Sequence, residues 1–201
     1  MGIEYRLLED IDSAAAVDCI SESFYERDLL SVALGIGLDD WKVYAKGQVK
    51  RAINDNVSIA AFDDGKIIGA LLSYDFLNYD PKDYRIVDSF VPISKFMEDL
   101  YSGYDALEKT MHFSYLGVVK DYLSKNIGHA ISVRNINLAK RRGFEKIVLE
   151  AVPLYTQRVA SMLGFRKVNE IFYKDFVYDG KRPFKTIEEA PSCVLMELDL
   201  L

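Results

Sequence analysis

Phe113-Ser114-Tyr115-Leu116-Gly117-Val118-Val119, followed by Ser124-Lys125-Asn126-Ile127-Gly128-His129-Ala130, is the stretch on which the fold turns. Met111–Val119 is rich in β-branched and aromatic residues and reads as a strand. A polar loop follows. Gly128–Arg142 holds no proline and no internal glycine and reads as a helix. Lys140, Arg141 and Arg142 suit a negative helix end, and Gly143 suits a left-handed cap. Apolar residues (Ala130, Ile131, Val133, Ile136, Leu138, Ala139) are scattered around this helix, which predicts burial on more than one side. Strand, loop and helix in this order aim backbone N–H groups at an anion. Tyr122 to Phe144 carry five Lys or Arg and no Asp or Glu, in a chain of net charge −6. A bound polyphosphate accounts for that contrast; so does a basic helix that merely solvates one face.

Outward from this stretch the chain alternates between the two periods. Ile3–Leu8 reads as a strand. Asp10–Glu26 reads as a helix capped by Asp10 or Asp12. Arg27-Asp28-Leu29-Leu30 breaks the pattern, and Leu38–Ile53 is a second helix closed by Asp55-Asn56. Val57–Phe62 and Lys66–Tyr74 form a hairpin around Asp63-Asp64-Gly65. Asn78–Lys109, with Pro81 and Pro92, reads as an insertion containing a helix over Ile93–Tyr104. Lys146–Val152 is a strand ended by Pro153. Leu154–Leu163 is a helix stopped by Gly164. Phe165–Val177 is a long strand, Asp179-Gly180 a turn, and Ser192–Leu200 the last strand.

The 201 residues suit one domain, and a chain half hydrophobic and 12% aromatic can bury a sizeable core. Net charge −6 argues against a nucleic-acid binder. No apolar run is long enough to span a membrane, and the N-terminus lacks the pattern of a signal peptide. Cys19 and Cys193 make no metal or disulfide pattern and fit buried positions in a reducing, cytoplasmic compartment. No metal site is expected.

Lys125-x-x-Gly128-x-Ala130 is similar to the Gln/Arg-x-x-Gly-x-Gly/Ala signature of the GNAT superfamily of N-acetyltransferases. The preceding strand, the helix ending Lys140-Arg141-Arg142-Gly143-Phe144, the next strand, and the helix ending Leu163-Gly164-Phe165 resemble the second half of that fold. Ile171 to Phe184, Ala190-Pro191 and Val194 to Glu197 resemble the end of the invertebrate arylalkylamine N-acetyltransferase-like enzymes. Phe24 to Ser31 resembles their Phe-Phe-x-Asp-Glu-Pro-Leu segment. The chain departs from those patterns at Lys125 (usually Arg or Gln), Asn126 (commonly Gly), Asp28 (Glu), Leu29 (Pro) and the Val152-Pro153-Leu154 opening of a helix that is Ser-rich in the family.

The resemblance implies an α/β fold with a mixed, mostly antiparallel sheet splayed at the cofactor site and flanked by helices, spanning 1–201. It implies acetyl-CoA as donor, a small arylalkylamine as acceptor, and direct attack on the thioester by a monomer or homodimer. Polyamine or protein-amine acceptors are the alternatives, as is a module that binds acyl-CoA with little turnover. The pyrophosphate would take backbone N–H groups of Ile127, Gly128, His129 and Ala130, beside Lys125 and Asn126. Backbone groups of Val118, Val119 and Lys120 would bond the pantetheine amides, with the Val118 N–H polarising the thioester carbonyl. Asp28 would take the amine proton, directly or through water, with Glu26 nearby; Asp28 would equally serve as a helix cap. Thr156 or Tyr155 would return a proton to the thiolate, and Tyr155 also suits a core position. Phe24, Tyr25, Tyr115 and Tyr173, with Phe76 and Tyr79, would line the acceptor pocket or belong to the core.

Overall fold

The computed structural model describes residues 2–78, 87–105 and 108–200. In chain order its elements are β1 (Glu4–Leu7), α1 (Ser13–Arg27), α2 (Leu29–Leu34), α3 (Leu38–Asp55), β2 (Ile59–Asp63), β3 (Lys66–Asp75) and α4 (Val91–Leu100). Then come β4 (Thr110–Val118), α5 (Ile127–Arg141), β5 (Lys146–Ala151), α6 (Leu154–Met162), β6 (Arg166–Phe172) and β7 (Ser192–Asp199). The seven strands form one sheet in the order β1-β2-β3-β4-β5-β7-β6. Only β4 and β5 run parallel; every other pair is antiparallel.

Local chemistry explains most of these elements. The β2–β3 hairpin turns on Asp64 and Gly65 at φ 48° and 74°, as a two-residue primed turn demands. Asn56 closes α3 in the left-handed conformation. Three expectations need correction. The expected break at Arg27–Leu30 is a single extended residue, Asp28, after which a short helix, α2, begins. The strand expected over Phe165–Val177 stops at Phe172, because Tyr173 turns inward to a buried position. Asp12 makes no side-chain cap on α1; Arg6 holds its carboxylate at 2.6 and 2.8 Å instead. In the region between Asn78 and Lys109, residues 79–86 and 106–107, Tyr79 among them, lie outside the described residues.

Helices cover both faces of the sheet. On one face Ala16, Val17 and Ile20 of α1 and Ala45, Val49 and Ala52 of α3 pack on Ala60, Phe62, Ala70, Leu72 and Tyr74. On the other, α5 and α6 pack on Ile59, Ala61, Leu71, Met111, Ile147 and Leu149. The buried positions of α5 are Ile127, Ile131, Ser132, Asn135, Leu138 and Ala139. They form a single stripe at helical spacing, so burial is on one side, not several. The pattern looks scattered because two stripe positions are polar. Asn135 Nδ2 donates to Ser73 Oγ at 2.7 Å within the core.

Two glycines let the helices close in. A Cβ on Gly69 would lie 3.0 Å from Ile127 Cγ2 and 3.2 Å from Ile131 Cδ1. A Cβ on Gly117 would lie 3.0 Å from Ser23 Oγ, 3.1 Å from Ile20 Cδ1 and 3.2 Å from the Cys19 carbonyl. Gly117 is paired near Gly69 across β3 and β4, so α1 and α5 press the sheet from opposite faces at one place. Gly117→Val is expected to lower stability by about 1–3 kcal/mol, the usual range for overpacking, as read by denaturant unfolding. Unchanged stability would show that α1 can retreat freely.

Candidate active site

The site begins with an irregularity in β4. Pairing with β3 runs Leu72↔Tyr115 and then Ser73↔Phe113, so Ser114 is an extra residue in the ladder. Such a bulge bends its strand. Pairing between β4 and β5 ends at Phe113↔Leu149, although β4 runs on to Val118 and β5 to Ala151. The two central strands therefore part beyond the bulge.

Ladder alternation then fixes which groups face the gap. The Val119 N–H donates to the Ile68 carbonyl at 2.9 Å. In an antiparallel ladder, residues alternate between facing the partner and facing away. Hence Leu116 and Val118 turn their backbone groups away from β3, toward the opening. The Val118 carbonyl is already occupied by Arg27 at 2.7 Å and by Ser23 Oγ at 3.2 Å. The Val118 N–H and both groups of Leu116 remain directed at the gap. Val119 uses both of its backbone groups within the fold, its carbonyl accepting the Tyr122 N–H at 2.9 Å. Lys120 is exposed and starts a 3-10 turn.

At the far end of the gap lies the N-terminus of α5. The expected polar loop is mostly that 3-10 turn, Lys120–Lys125, joined to α5 by Asn126 at φ 56°. Asn tolerates this conformation better than most side chains. The Ala130 N–H makes the first helical bond, to the Asn126 carbonyl at 3.0 Å. The N–H groups of Ile127, Gly128 and His129 are the ones with no partner inside the helix. A Cβ on Gly128 would sit 3.3 Å from Leu116 Cδ2 and 3.8 Å from Val118 Cγ2. This glycine thus brings the first turn of α5 against the two β4 residues that face the gap. Lys125 rests its ammonium 4.0 Å over the Tyr122 ring, and the Tyr122 hydroxyl donates to Asp63 at 2.7 Å. The His129 side chain is exposed.

Across the sheet, Asp28 is the N-cap of α2. Its Oδ2 accepts the Ser31 N–H at 2.9 Å and the Ser31 hydroxyl at 2.6 Å. Burial pushes its pKa above the ordinary carboxylate value, against the pull of those two bonds. Both expectations for Asp28 are thereby compatible: a cap that is also a desolvated carboxylate. Glu26 points elsewhere, to Arg27 at 3.1 Å. Phe24 packs on Trp41 and Tyr115, and the Tyr115 hydroxyl lies 2.7 Å from that of Tyr44. Tyr25 is exposed. Tyr173 is 1% exposed, stacks on Phe96, and donates to the Val152 carbonyl at 2.7 Å. Tyr155, on the first turn of α6, is 70% exposed and so is not core; Thr156 beside it is half-buried. Burial pushes the Cys19 thiol up to about 12 and the Cys193 thiol well above its ordinary value, which disfavours both thiolates.

Several site residues carry little signal in the sequence. Leu116, Ser23 and Arg27 enter through backbone geometry, which side-chain patterns do not encode. His112 on β4 and Glu150 on β5 face one another, Nε2 lying 3.0 Å from both carboxylate oxygens, and the Tyr101 hydroxyl donates to the same carboxylate. The available signal was a glutamate interrupting the apolar run Lys146–Val152.

No protein-family model and no curated protein sequence matches the chain. Solved structures do. The C-terminal condensation domain of Ebony, in complex with beta-alanyl-dopamine, superposes with a TM-score of 0.88 at 19% identity, over 99% of both chains. Arylalkylamine N-acetyltransferase 2 from Aedes aegypti superposes at 0.83, 19% identical, over the whole of both chains. Drosophila melanogaster polyamine N-acetyltransferase superposes at 0.73, 13% identical, over 98% of this chain and 100% of its own. The fold is the GNAT fold, with the splayed mixed sheet expected from the sequence.

Tyr173 separates core from pocket. Tyr173→Phe leaves the buried Val152 carbonyl without its donor and is expected to cost about 1–3 kcal/mol of stability in denaturant unfolding. A variant as stable as wild type would show that this hydroxyl is not part of the core.

Proposed function

We propose that the protein is an acetyl-CoA-dependent N-acetyltransferase acting on a small primary amine, an arylalkylamine in the first instance. The observation that carries this reading is the gap between β4 and β5. The N–H groups of Leu116 and Val118 open into it, the N-terminus of α5 stands at one end, and a desolvated carboxylate stands on the opposite face. An extended pantetheine arm fits the unpaired edge of β4 as an added strand. The three free N–H groups of Ile127, Gly128 and His129 suit a pyrophosphate. Lys120 and Lys125 add positive charge beside it. The likeness to structures whose names include arylalkylamine N-acetyltransferase and a domain complexed with beta-alanyl-dopamine, itself an arylalkylamine amide, supports the acceptor class. Aliphatic polyamines are the second reading, supported by the likeness to agmatine and polyamine N-acetyltransferases. Two buried free thiols suit the cytoplasm.

The reaction is a single displacement. Asp28 takes a proton from the ammonium and frees the nitrogen lone pair. The nitrogen attacks the thioester carbonyl carbon, and the developing oxyanion is met by the Val118 N–H. The C–S bond then breaks. The CoA thiolate takes a proton from the hydroxyl of Thr156 or Tyr155, which is replenished from solvent; the amide nitrogen loses its remaining extra proton to water, and Asp28 returns the proton it took to solvent. Products are the N-acetylamine and CoA.

Purified protein with acetyl-CoA and phenethylamine, tryptamine or putrescine is expected to release free thiol, read colorimetrically. CoA binding with no thiol release from any amine would sink the enzyme reading. Asp28→Asn should lower kcat by about a hundredfold, leave CoA affinity within about twofold, and flatten the acid limb of the pH–rate profile. Loss of CoA binding in parallel would remove Asp28 from the role of base.

The same residue predicts a stability effect of opposite sign. Its folded pKa is raised, so its contribution is greatest at low pH and is lost as pH rises through that folded value. At neutral pH Asp28→Asn should melt level with wild type or above it, and the difference should shrink toward pH 3. A variant that is less stable at neutral pH would show that the charge-assisted bonds to Ser31 outweigh desolvation.

A further inference from the structure

Among the described residues, most buried carboxylates are neutralised by a fixed cation. Asp12 lies 2.6 Å from Arg6 and Asp55 3.8 Å from Arg51. Glu197 is gripped by Lys146 at 3.0 Å and by Arg166. A carboxylate removed from water needs such a partner or gives up its charge. Glu150 has no Lys or Arg partner among the described residues. Its contacts are His112 and the Tyr101 hydroxyl. Burial pushes its pKa up, yet His112 and the two hydrogen bonds outweigh burial and hold it below the ordinary value, so it stays ionised.

Glu150 is also less sealed than those structural carboxylates. Its side chain keeps 11% exposure and that of His112 17%, against 5% for Asp55 and 4% for Glu197. Alternation along β5 puts Glu150 on the face of Val148, which packs in the cluster beneath α2 and α4. It stands one residue past Leu149, where pairing with β4 ends, and so at the floor of the gap. The surrounding wall is aromatic: the Phe76 ring centroid is 5.5 Å from that of Tyr101 and 5.7 Å from that of His112. Leu30 of α2, two residues past Asp28, packs in the same cluster as Val148 and Cys193, so Asp28 and Glu150 lie on the same face of the sheet.

We propose that Glu150 is the anionic subsite for the acceptor: held in place by His112 and Tyr101, its carboxylate receives the protonated amine of a small arylalkyl substrate. This deepens the reading of the site as amine-acetylating and rests on it. His112 is the only cationic partner Glu150 has among the described residues, and an ammonium would add charge-assisted hydrogen bonds to the lone pairs that remain. The rings of Phe76 and Tyr101 accept the aryl group and the face of the cation. Proton transfer from the bound nitrogen to Asp28 then leaves a neutral amine, with Glu150 unchanged. His112 and Tyr101 are positioning residues.

The test is calorimetric titration of phenethylamine and of its neutral isostere phenylethanol into CoA-saturated wild type and Glu150→Gln. Glutamine keeps the shape and can still accept the Tyr101 hydrogen bond. Wild type is expected to bind the amine at least about tenfold more tightly than the alcohol. Glu150→Gln should erase that preference, leave CoA affinity unchanged, and raise KM for the amine more than it lowers kcat. A preference that survives in the variant overturns the assignment. Should the variant fold poorly, a wild-type crystal soaked with phenethylamine decides: nitrogen bonded to Glu150 supports the subsite, and nitrogen lodged elsewhere refutes it. Thiol release insensitive to Glu150→Gln defeats the subsite alone. Amine bound at Glu150 without thiol release defeats acetyl transfer and leaves the subsite standing.

Discussion

The parting of β4 from β5 is the constraint from which the rest of the structure follows. In the middle of a sheet, backbone N–H groups without partners carry a desolvation cost, and native proteins avoid it. Here the bulge at Ser114 ends the parallel ladder after Phe113↔Leu149 and leaves the groups of Leu116 and Val118 facing an opening. The fold satisfies only part of what it exposes. Arg27 and Ser23 cap the Val118 carbonyl from α1. The remaining groups form a row, which suits an extended ligand with alternating donors and acceptors better than a compact one.

The other elements hold the gap at a usable width. Gly69 and Gly117 allow α5 and α1 to approach from opposite faces, and Gly128 seats the first turn of α5 on Leu116 and Val118. On the face that carries Asp28, α2 is anchored by Leu30, which packs with Phe96, Tyr173, Phe176 and Phe184. Those last three rings belong to the β6–β7 region that resembles the arylalkylamine enzymes. The aromatic tail therefore positions Asp28 indirectly, by fixing the helix that its side chain caps. That arrangement makes the cap rigid, because Asp28 cannot swing without giving up both bonds to Ser31.

Much of this was legible in the sequence, and the failures have physical causes. The element order, the Asp64-Gly65 turn, the Gly143 cap and the strand–loop–helix at 113–130 are encoded locally, in period and turn chemistry. The short helix α2 was missed because Leu29-Leu30-Ser31 carries no periodicity over so few residues. The helix α5 looked two-sided because Asn135 sits in its core stripe, satisfied by Ser73 across the chain. A partner 62 residues away in sequence leaves no local trace. Val119 and Ala130 were expected among the cofactor ligands. Their N–H groups are instead taken by Ile68 and Asn126, a matter of ladder and helix register rather than of residue type. The pair His112 and Glu150 depends on which strands become neighbours, so it is visible only with the β4–β5 register.

The two carboxylates on that face differ in a way that bears on mechanism. Burial moves Asp28 upward, toward the range where a carboxylate can take and give back a proton. His112 and Tyr101 move Glu150 downward, toward permanent charge. Groups whose environments push their pKa values apart can divide acid–base work from electrostatic work. A single carboxylate asked to do both would lose its hold on the cation at the moment it accepted the proton. In the proposed reaction, dividing the tasks would let the nitrogen stay in place while its charge leaves. Among the described residues neither carboxylate has the arginine or lysine that lies beside Asp12, Asp55 and Glu197.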